Sequence, residues 1–466
     1  SSIDSYNTAV GSSAGGAITT GVQNTIIGGL AGDALTDADN NVALGQGALG
    51  SDTLGSRSVA VGSFALDNQN FTSATNTYNV GVGYAAGAAI TTGVENTLIG
   101  ALAGDALTDA DKNVAVGFGA LTTDTLGSRS VAIGEQALAV QNFTTATDTY
   151  NTAVGFNAGA AVTTGIRNTL IGAIAGDALT DADLNVAVGE QALSLDTLGS
   201  KSTAVGTIAL ANQNFTTATD SLNTAVGYAA GVAVTTGVQN TIIGALAGDA
   251  ITTASNNTLL GYDAGGGLTT GSSNVFVGRG AGLAVTTSTF NTLLGQDCNS
   301  TSATEGNCNG LGYGVAAVSG FTTIGITTAD IRAQHGVAVW ATVSDERYKK
   351  DITDSTLGLS FVNALRPRTF KYKNKGDLPS TFRAYEEGST EVFKFPETQH
   401  GFIAQEVKAA IDADSGVADG FKMWDERDDG SQEVAEAALI PVLVKAIQEQ
   451  QTLITALTDR ITALEG

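Results

Sequence analysis

The chain has 466 residues, 59 of them glycine and only 6% aromatic, with 46 acidic against 22 basic side chains and a formal charge of −24. This composition argues against one large globular core, and so acidic a surface repels phosphate backbones, so no nucleic-acid partner is expected. No run approaches the roughly 20 apolar residues that span a bilayer, so no membrane insertion is expected either.

The sequence begins at Ser1 without methionine and without a basic-then-apolar leader, as expected of a piece of a longer protein. Asn7, Asn79, Asn151 and Asn223 each open NTAVG or a close variant, 72 residues apart. Inside a block the pentapeptide recurs at Asn7, Asn24, Asn41, Ser58 and Asn79, a spacing of 17, 17, 17 and 21 residues. From Asn223 the spacing stays at 17, through Asn240, Asn257, Asn274 and Asn291. The closing glycine runs Gly11, Gly28, Gly45, Gly62 and on to Gly312, with Gly325 ending a shorter turn.

A 17-residue period is too short for a helix pair and fits one coil of a β-solenoid: short strand, turn, short strand, turn. Pro367, Pro379, Pro396 and Pro441 all fall outside the repeat, as expected where strand N–H groups bond to the next coil. The fold class expected is mainly β: a parallel β-roll or β-solenoid rod over 1–325. Some 18 coils at the ~4.8 Å strand spacing give a rod on the order of 85 Å long.

The pentapeptide is apolar on both faces. Its fourth position (Val10, Ile27, Leu44, Val61, Val82, Ile99) is aliphatic throughout and is expected to fill the coil interior. Its third (Ala9, Ile26, Ala43, Ala60, Leu98, Ala115) points to the other face and is mostly apolar too. Strands apolar on both faces are covered on both, which predicts that subunits pack along the rod. The pattern N-[ST]-x-[AV]-[IVL]-G-x-x-[AS] resembles the head repeats of trimeric autotransporter adhesins. That resemblance implies parallel β-rolls packed as trimers.

Two decorations recur in the blocks. GDALTDAD places Asp33, Asp37 and Asp39, then Asp105, Asp109 and Asp111, then Asp177, Asp181 and Asp183 on a turn. Carboxylates at such spacing could hold Ca²⁺, or simply form a solvated acidic turn. The 21-residue coils carry Phe71, Phe143 and Phe215 in equivalent places, either as receptor contacts or as rings tucked beneath their own loops. The acidic residues recur in phase with the repeat, whereas a glycan-cleaving pair is normally a unique local departure. Cys298 and Cys308 could pair as a disulfide, though two cysteines make no framework, or read as small residues in small-residue positions, and no cofactor is expected.

Past Gly325 the repeat gives way to a connector, 326–343, and then to Ser344-Asp345-Glu346-Arg347-Tyr348-Lys349-Lys350-Asp351-Ile352. This stretch stands at the largest composition change in the chain. It holds a hydroxyl and an amine five positions apart, the raw material for a nucleophile and a base. Further on stand GLSFVNALRPRTFKYK, QHGFIAQEV and a terminal run with Ile440, Ile447, Ile454 and Ile461 at one heptad position and Leu443, Gln450, Leu457 and Leu464 at the other. Such a run predicts a short coiled-coil seam. Taken alone, Ile at a and Leu at d favour two strands.

Over 344–466 these motifs resemble the S74 peptidase family, the intramolecular chaperones at the ends of phage tail spikes and fibres. The opening pattern S-D-x-R-x-K-x-x-I is matched at Ser344, Asp345, Arg347, Lys349 and Ile352. The resemblance implies a small α+β domain that trimerises, guides folding of the upstream fibre and then cuts itself away at or near Val343–Ser344. It implies Ser344 as nucleophile and Lys349 as base, with His400 in an assisting place and Asp345 and Arg347 orienting the loop. The reaction requires an uncharged amine, which burial or the neighbouring cations Lys350 and Arg347 would favour. The expected protein is a homotrimeric, host-contacting fibre of a virion, made in the host cytoplasm, with other virion tail proteins and a cell-surface glycan or protein receptor as partners. The alternatives are a bacterial surface adhesin with the same repeat and a glycan-degrading tail spike.

Overall fold

Each coil of the repeat contributes one strand of three residues, and the strands stack in parallel. Thr8–Val10, Thr25–Ile27, Val42–Leu44 and Val59–Val61 are the first four. They pair so that Ala9, Ile26, Ala43 and Ala60 stand in one column and Val10, Ile27, Leu44 and Val61 in the next. In the computed structural model, which describes residues 4–465 apart from 328, 338–339 and 418–420, this ladder continues to a sheet of 21 strands. The rest of each coil is turns and bends. A second short ladder appears beside the 21-residue coils, where Gly55–Ser56 pairs with Thr75–Asn76 and its equivalents repeat.

The two apolar columns are exchanged relative to expectation. The third position is the interior: Ile26, Ala43, Ala60, Leu98 and Ala115 are all fully buried. The fourth faces outward, with Val10 58% and Ile27 41% exposed. The reason is the narrowness of the coil. Its interior admits a fixed volume, shared between the third position and the ninth. Where the third is large the ninth is glycine in every coil but the one that pairs Leu293 with Asn299, as in Leu170 with Gly176 and Phe276 with Gly282. A Cβ on Gly176 would come within 2.8 Å of Leu170 and Leu179, and one on Gly282 within 2.3 Å of Phe276. Where the third is alanine and the coil carries a polar twelfth residue, the ninth is leucine, as in Ala187 with Leu193.

Asparagine at the first position is explained by a ladder of its own. Asn24 is fully buried; its backbone N–H donates to Asn7 Oδ1 at 2.8 Å and its Nδ2 to the Ala38 carbonyl at 2.8 Å. Its own Oδ1 accepts the Asn41 N–H at 2.9 Å. Every amide is thereby paired from one coil to the next, which removes the cost of burying it. The glycine after each strand is held in the left-handed half of conformational space. Gly28, at φ +141, has the Gly45 carbonyl 2.4 Å from where a Cβ would lie.

The segment expected as a connector is built into the same sheet. Phe321–Ile326 joins in parallel after Asn309–Leu311, then turns back antiparallel into Ala329–Gln334, which pairs with Trp340–Thr342. The chain divides into two compact units between Val343 and Ser344. Among the described residues the second unit has three α-helices, Leu359–Ala364 (α1), Ala404–Ala413 (α2) and Leu439–Glu465 (α3). Two small antiparallel pairs accompany them, Arg368–Phe370 with Gln399–Gly401 and Trp424–Glu426 with Gln432–Val434. Its core gathers Leu357, Phe361, Val407, Met423, Leu439 and Val442. Only the first turns of α3 enter that core; Ile447, Ile454, Leu457 and Ile461 are each more than half exposed. No helix among the described residues is long and apolar enough to cross a membrane.

Candidate active site

The five-residue spacing of Ser344 and Lys349 is closed by a single turn. Glu346–Tyr348 forms one turn of 3-10 helix, capped at its start by Asp345, whose carboxylate accepts the Arg347 N–H at 2.9 Å. At its end the Lys349 N–H bonds to the Glu346 carbonyl at 2.9 Å. The turn brings Lys349 Nζ to 2.7 Å from Ser344 Oγ. The turn thus brings a hydroxyl and an amine within hydrogen-bonding distance inside the motif itself.

Asp345 and Arg347 hold the turn in shape. The guanidinium donates through Nε to Oδ1 at 3.0 Å and through Nη2 to Oδ2 at 2.7 Å. This two-pronged bond, with the Arg347 N–H, keeps the Asp345 carboxyl below its ordinary range. Neither residue touches the serine–lysine pair by hydrogen bond, which fits an orienting place. Ser344 and Lys349 are both exposed, as are Tyr348 (80%) and Ile352 (63%) beside them. His400 stands on the strand Gln399–Gly401 opposite Thr369 and is exposed. No hydrogen bond joins it to Ser344 or Lys349 among the described residues.

The turn aspartates of the rod tie one coil to another. Thr20 donates to Asp37 by a short bond and the Val22 N–H to Asp39 at 2.8 Å. The same ties recur at Asp109 and Asp111, and at Asp181 and Asp183; Asp105 accepts from Thr122 Oγ1 at 2.5 Å. Among the described residues no three acidic, histidine or cysteine side chains converge as a metal site. Phe71, Phe143 and Phe215 are each only 6% exposed, so they lie beneath their loops and offer no contact face. Cys298 and Cys308 are buried free thiols; burial pushes Cys298 up to about 11, which keeps it protonated and inert.

The sequence reading missed a buried polar network at each 21-residue coil. Asp52 Oδ2 accepts Gln69 Nε2 at 2.5 Å, and the same amide nitrogen reaches Ser58 Oγ at 2.9 Å. Asp52 Oδ1 accepts the Gly55 and Phe71 N–H groups at 3.0 and 3.2 Å, and Asn79 Nδ2 donates to Gln69 Oε1 at 2.9 Å. The same contacts recur around Asp124–Gln141 and Asp196–Gln213. No cation enters. Burial pushes the Asp52 and Asp124 carboxyls up, against the lowering effect of the glutamine and backbone donors. The detectable signal was aspartate and glutamine recurring 17 residues apart in every block that has the longer coil.

Residues 344–415 match the family model described as Peptidase_S74, chaperone of endosialidase. The match opens on Ser344, the first residue of the second unit, and ends just beyond α2. No curated protein and no solved structure matches the chain. A β-solenoid of 17-residue coils followed by a segment that matches the S74 chaperone model fits a tail fibre or tail spike with an S74 chaperone domain, a family that implies autocatalytic cleavage.

Proposed function

We propose that the chain is the rod of a phage tail fibre, assembled as a homotrimer on its C-terminal unit and then released from that unit by its own cut at Val343–Ser344. The observation that carries the reading is the 2.7 Å contact of Lys349 Nζ with Ser344 Oγ, placed where the two compact units part. In the cut, Lys349 takes the hydroxyl proton as Ser344 Oγ bonds to the Val343 carbonyl carbon. The Val343–Ser344 C–N bond then breaks, and the Ser344 amine leaves with a proton from Lys349. Water hydrolyses the resulting ester, freeing the Val343 carboxylate and regenerating the serine.

An amine that takes a proton must first be uncharged, and removal from water favours that form. In one chain the dyad and its neighbours Tyr348 and Ile352 are exposed. Closure of neighbouring copies over them would withdraw that water, so the cut would wait for assembly. The outward column of the rod and the bare seam of α3 both support association with further copies, because each is an apolar stripe left in water by a single chain. The host-facing role, with a cell-surface glycan or protein as receptor and other tail proteins at the far end, rests on the rod architecture and the chaperone match together. Ser344→Ala and Lys349→Ala proteins should each give one full-length band on a denaturing gel. Two bands from the Ser344→Ala protein would overturn the nucleophile assignment.

A further inference from the structure

We infer that the terminal antiparallel strands, Phe321–Ile326, Ala329–Gln334 and Trp340–Thr342, are a permanent clasp between three copies of this chain, and that they hold the rod together once the C-terminal unit has gone. The inference rests on the trimer and on the cut at Val343–Ser344 proposed above, and it adds the surface that takes over afterwards.

Register carries the argument. Leu294 pairs with Leu311, Leu311 with Ile324, Ile324 with Ile331, and Ile331 with Thr342. The outward column of the rod therefore runs without a break into the reversed strands. Directly paired residues share a face, and residues two apart on a strand share it too, so Ile326, Ile331 and Trp340 all lie on that outward face. They are 61%, 44% and 52% exposed. The opposite face, which continues the coil interior, carries Phe321 beside the Arg332 guanidinium, with Thr323, Gly325, Asp330, Gln334 and Ala341. The isoleucines of these strands and Trp340 thus stand together on the outward side.

The occupant follows from continuity. One apolar column extends from Val10 through every coil to Ile331, and a partner that covers it must be equally long and equally repetitive. A second copy of this chain in the same register meets both conditions. Trp340 sets the end of the column apart. Tryptophan is a side chain that tight interfaces bury at their centres, and here it sits three residues before the cut. After release the α3 seam is lost to the rod, whereas these strands remain part of it. Reversal of strand direction also ends the parallel ladder in a three-residue strand, which leaves little open edge for uncontrolled pairing.

The test uses the full chain carrying Ser344→Ala, which blocks its own cut, with a site for a specific protease placed between positions 343 and 344, so that release can be triggered after assembly. The released rod then holds Trp340 as its single tryptophan, since the chain has two and Trp424 departs with the C-terminal unit. Native mass spectrometry should give a trimeric wild-type rod, and iodide should quench its tryptophan emission several-fold less than that of free tryptophan. The Trp340→Ser/Ile331→Ser protein should assemble while uncut and dissociate, or lose its heat resistance, after release. A trimeric wild-type rod whose Trp340 is fully open to iodide would overturn the clasp, as would a double variant that stays as trimeric and heat-resistant as wild type. An uncut wild-type chain that is monomeric would instead contradict the trimer itself.

Discussion

The volume sharing between the third and ninth positions can be tested by exchanging them within one coil. Leu170 is fully buried and faces Gly176; one coil further on, Ala187 faces Leu193. Leu170→Ala leaves a cavity that the stacked coils above and below cannot close, at about 2–5 kcal/mol per chain. Gly176→Leu alone forces new bulk against Leu170 and Leu179, at about 1–3 kcal/mol. Gly176 sits at φ +55, which costs a side chain about 1–2 kcal/mol; Leu193 bears the same cost at φ 55, and in the cycle it enters the single and the double variant alike. The double variant restores the volume, so its loss should fall short of the sum by about 1 kcal/mol or more. Leu179 keeps some crowding and prevents full rescue. The measurement is the guanidinium midpoint of the assembled protein for all four members of the cycle, at one protein concentration. Additive losses would refute the shared-volume account. A harmless Leu170→Ala would refute the assignment of the third position to the interior.

Val154→Asp, on the outward column, should leave the single-chain coil intact and block association, giving soluble monomer by sedimentation; Ala153→Asp, on the buried column, should prevent the coil from folding at all, because an unpaired buried carboxylate costs several kcal/mol. The two units should respond to acid in opposite directions. In the rod, burial raises Asp52 and Asp124 above the ordinary 3.8, so their contribution is fully present below 3.8 and is lost as pH rises through the folded values. In the C-terminal unit, Arg347 lowers Asp345, Arg368 lowers Glu406, and Ser431 with the Arg383 N–H lowers Asp429 to about 2. Those contributions are present above the ordinary carboxyl value and are lost as pH falls. Calorimetry from pH 7 down to pH 3 should show the C-terminal transition falling while the rod transition does not follow it. Residues 1–343 expressed alone should aggregate or stay monomeric, since a slip of one 17-residue coil leaves most contacts in place and nothing sets the register. Efficient assembly of that truncated chain would show the C-terminal unit to be dispensable.

Much of this organisation is legible in the residues themselves, because the period is carried by groups with no substitute. Gly28 and its equivalents mark each coil, since only glycine fits against the next carbonyl. Ser344 and Lys349 stood out by their place at the composition change and by the motif they share with the S74 family; the turn that brings them to 2.7 Å is seen only in the structure. The sidedness of the strand was not legible. A column of Val, Ile and Leu reads as core, yet the third position of so thin a coil takes alanine where the ninth is leucine, as in Ala187 with Leu193, and a large side chain where a glycine such as Gly32, Gly104 or Gly176 yields the space. The turn aspartates could be read as ligands or as a solvated turn, and their actual inter-coil partners, such as Thr92 for Asp109, were hidden because they lie 17 residues away and come close only once the coil closes. The strands after Phe321 were hidden for a different reason: once the repeat stops, six-residue strands such as Ala329–Gln334 carry no periodic signal.

The central claim is a single cut at a single bond, and the intact mass of the assembled protein tests it most directly. Material left to mature at neutral pH should resolve into two fragments, one ending at Val343 and one beginning at Ser344, and both should vanish in the Ser344→Ala and Lys349→Ala proteins. A full-length mass in fully assembled wild-type protein, or fragments that meet at any other bond, would contradict it.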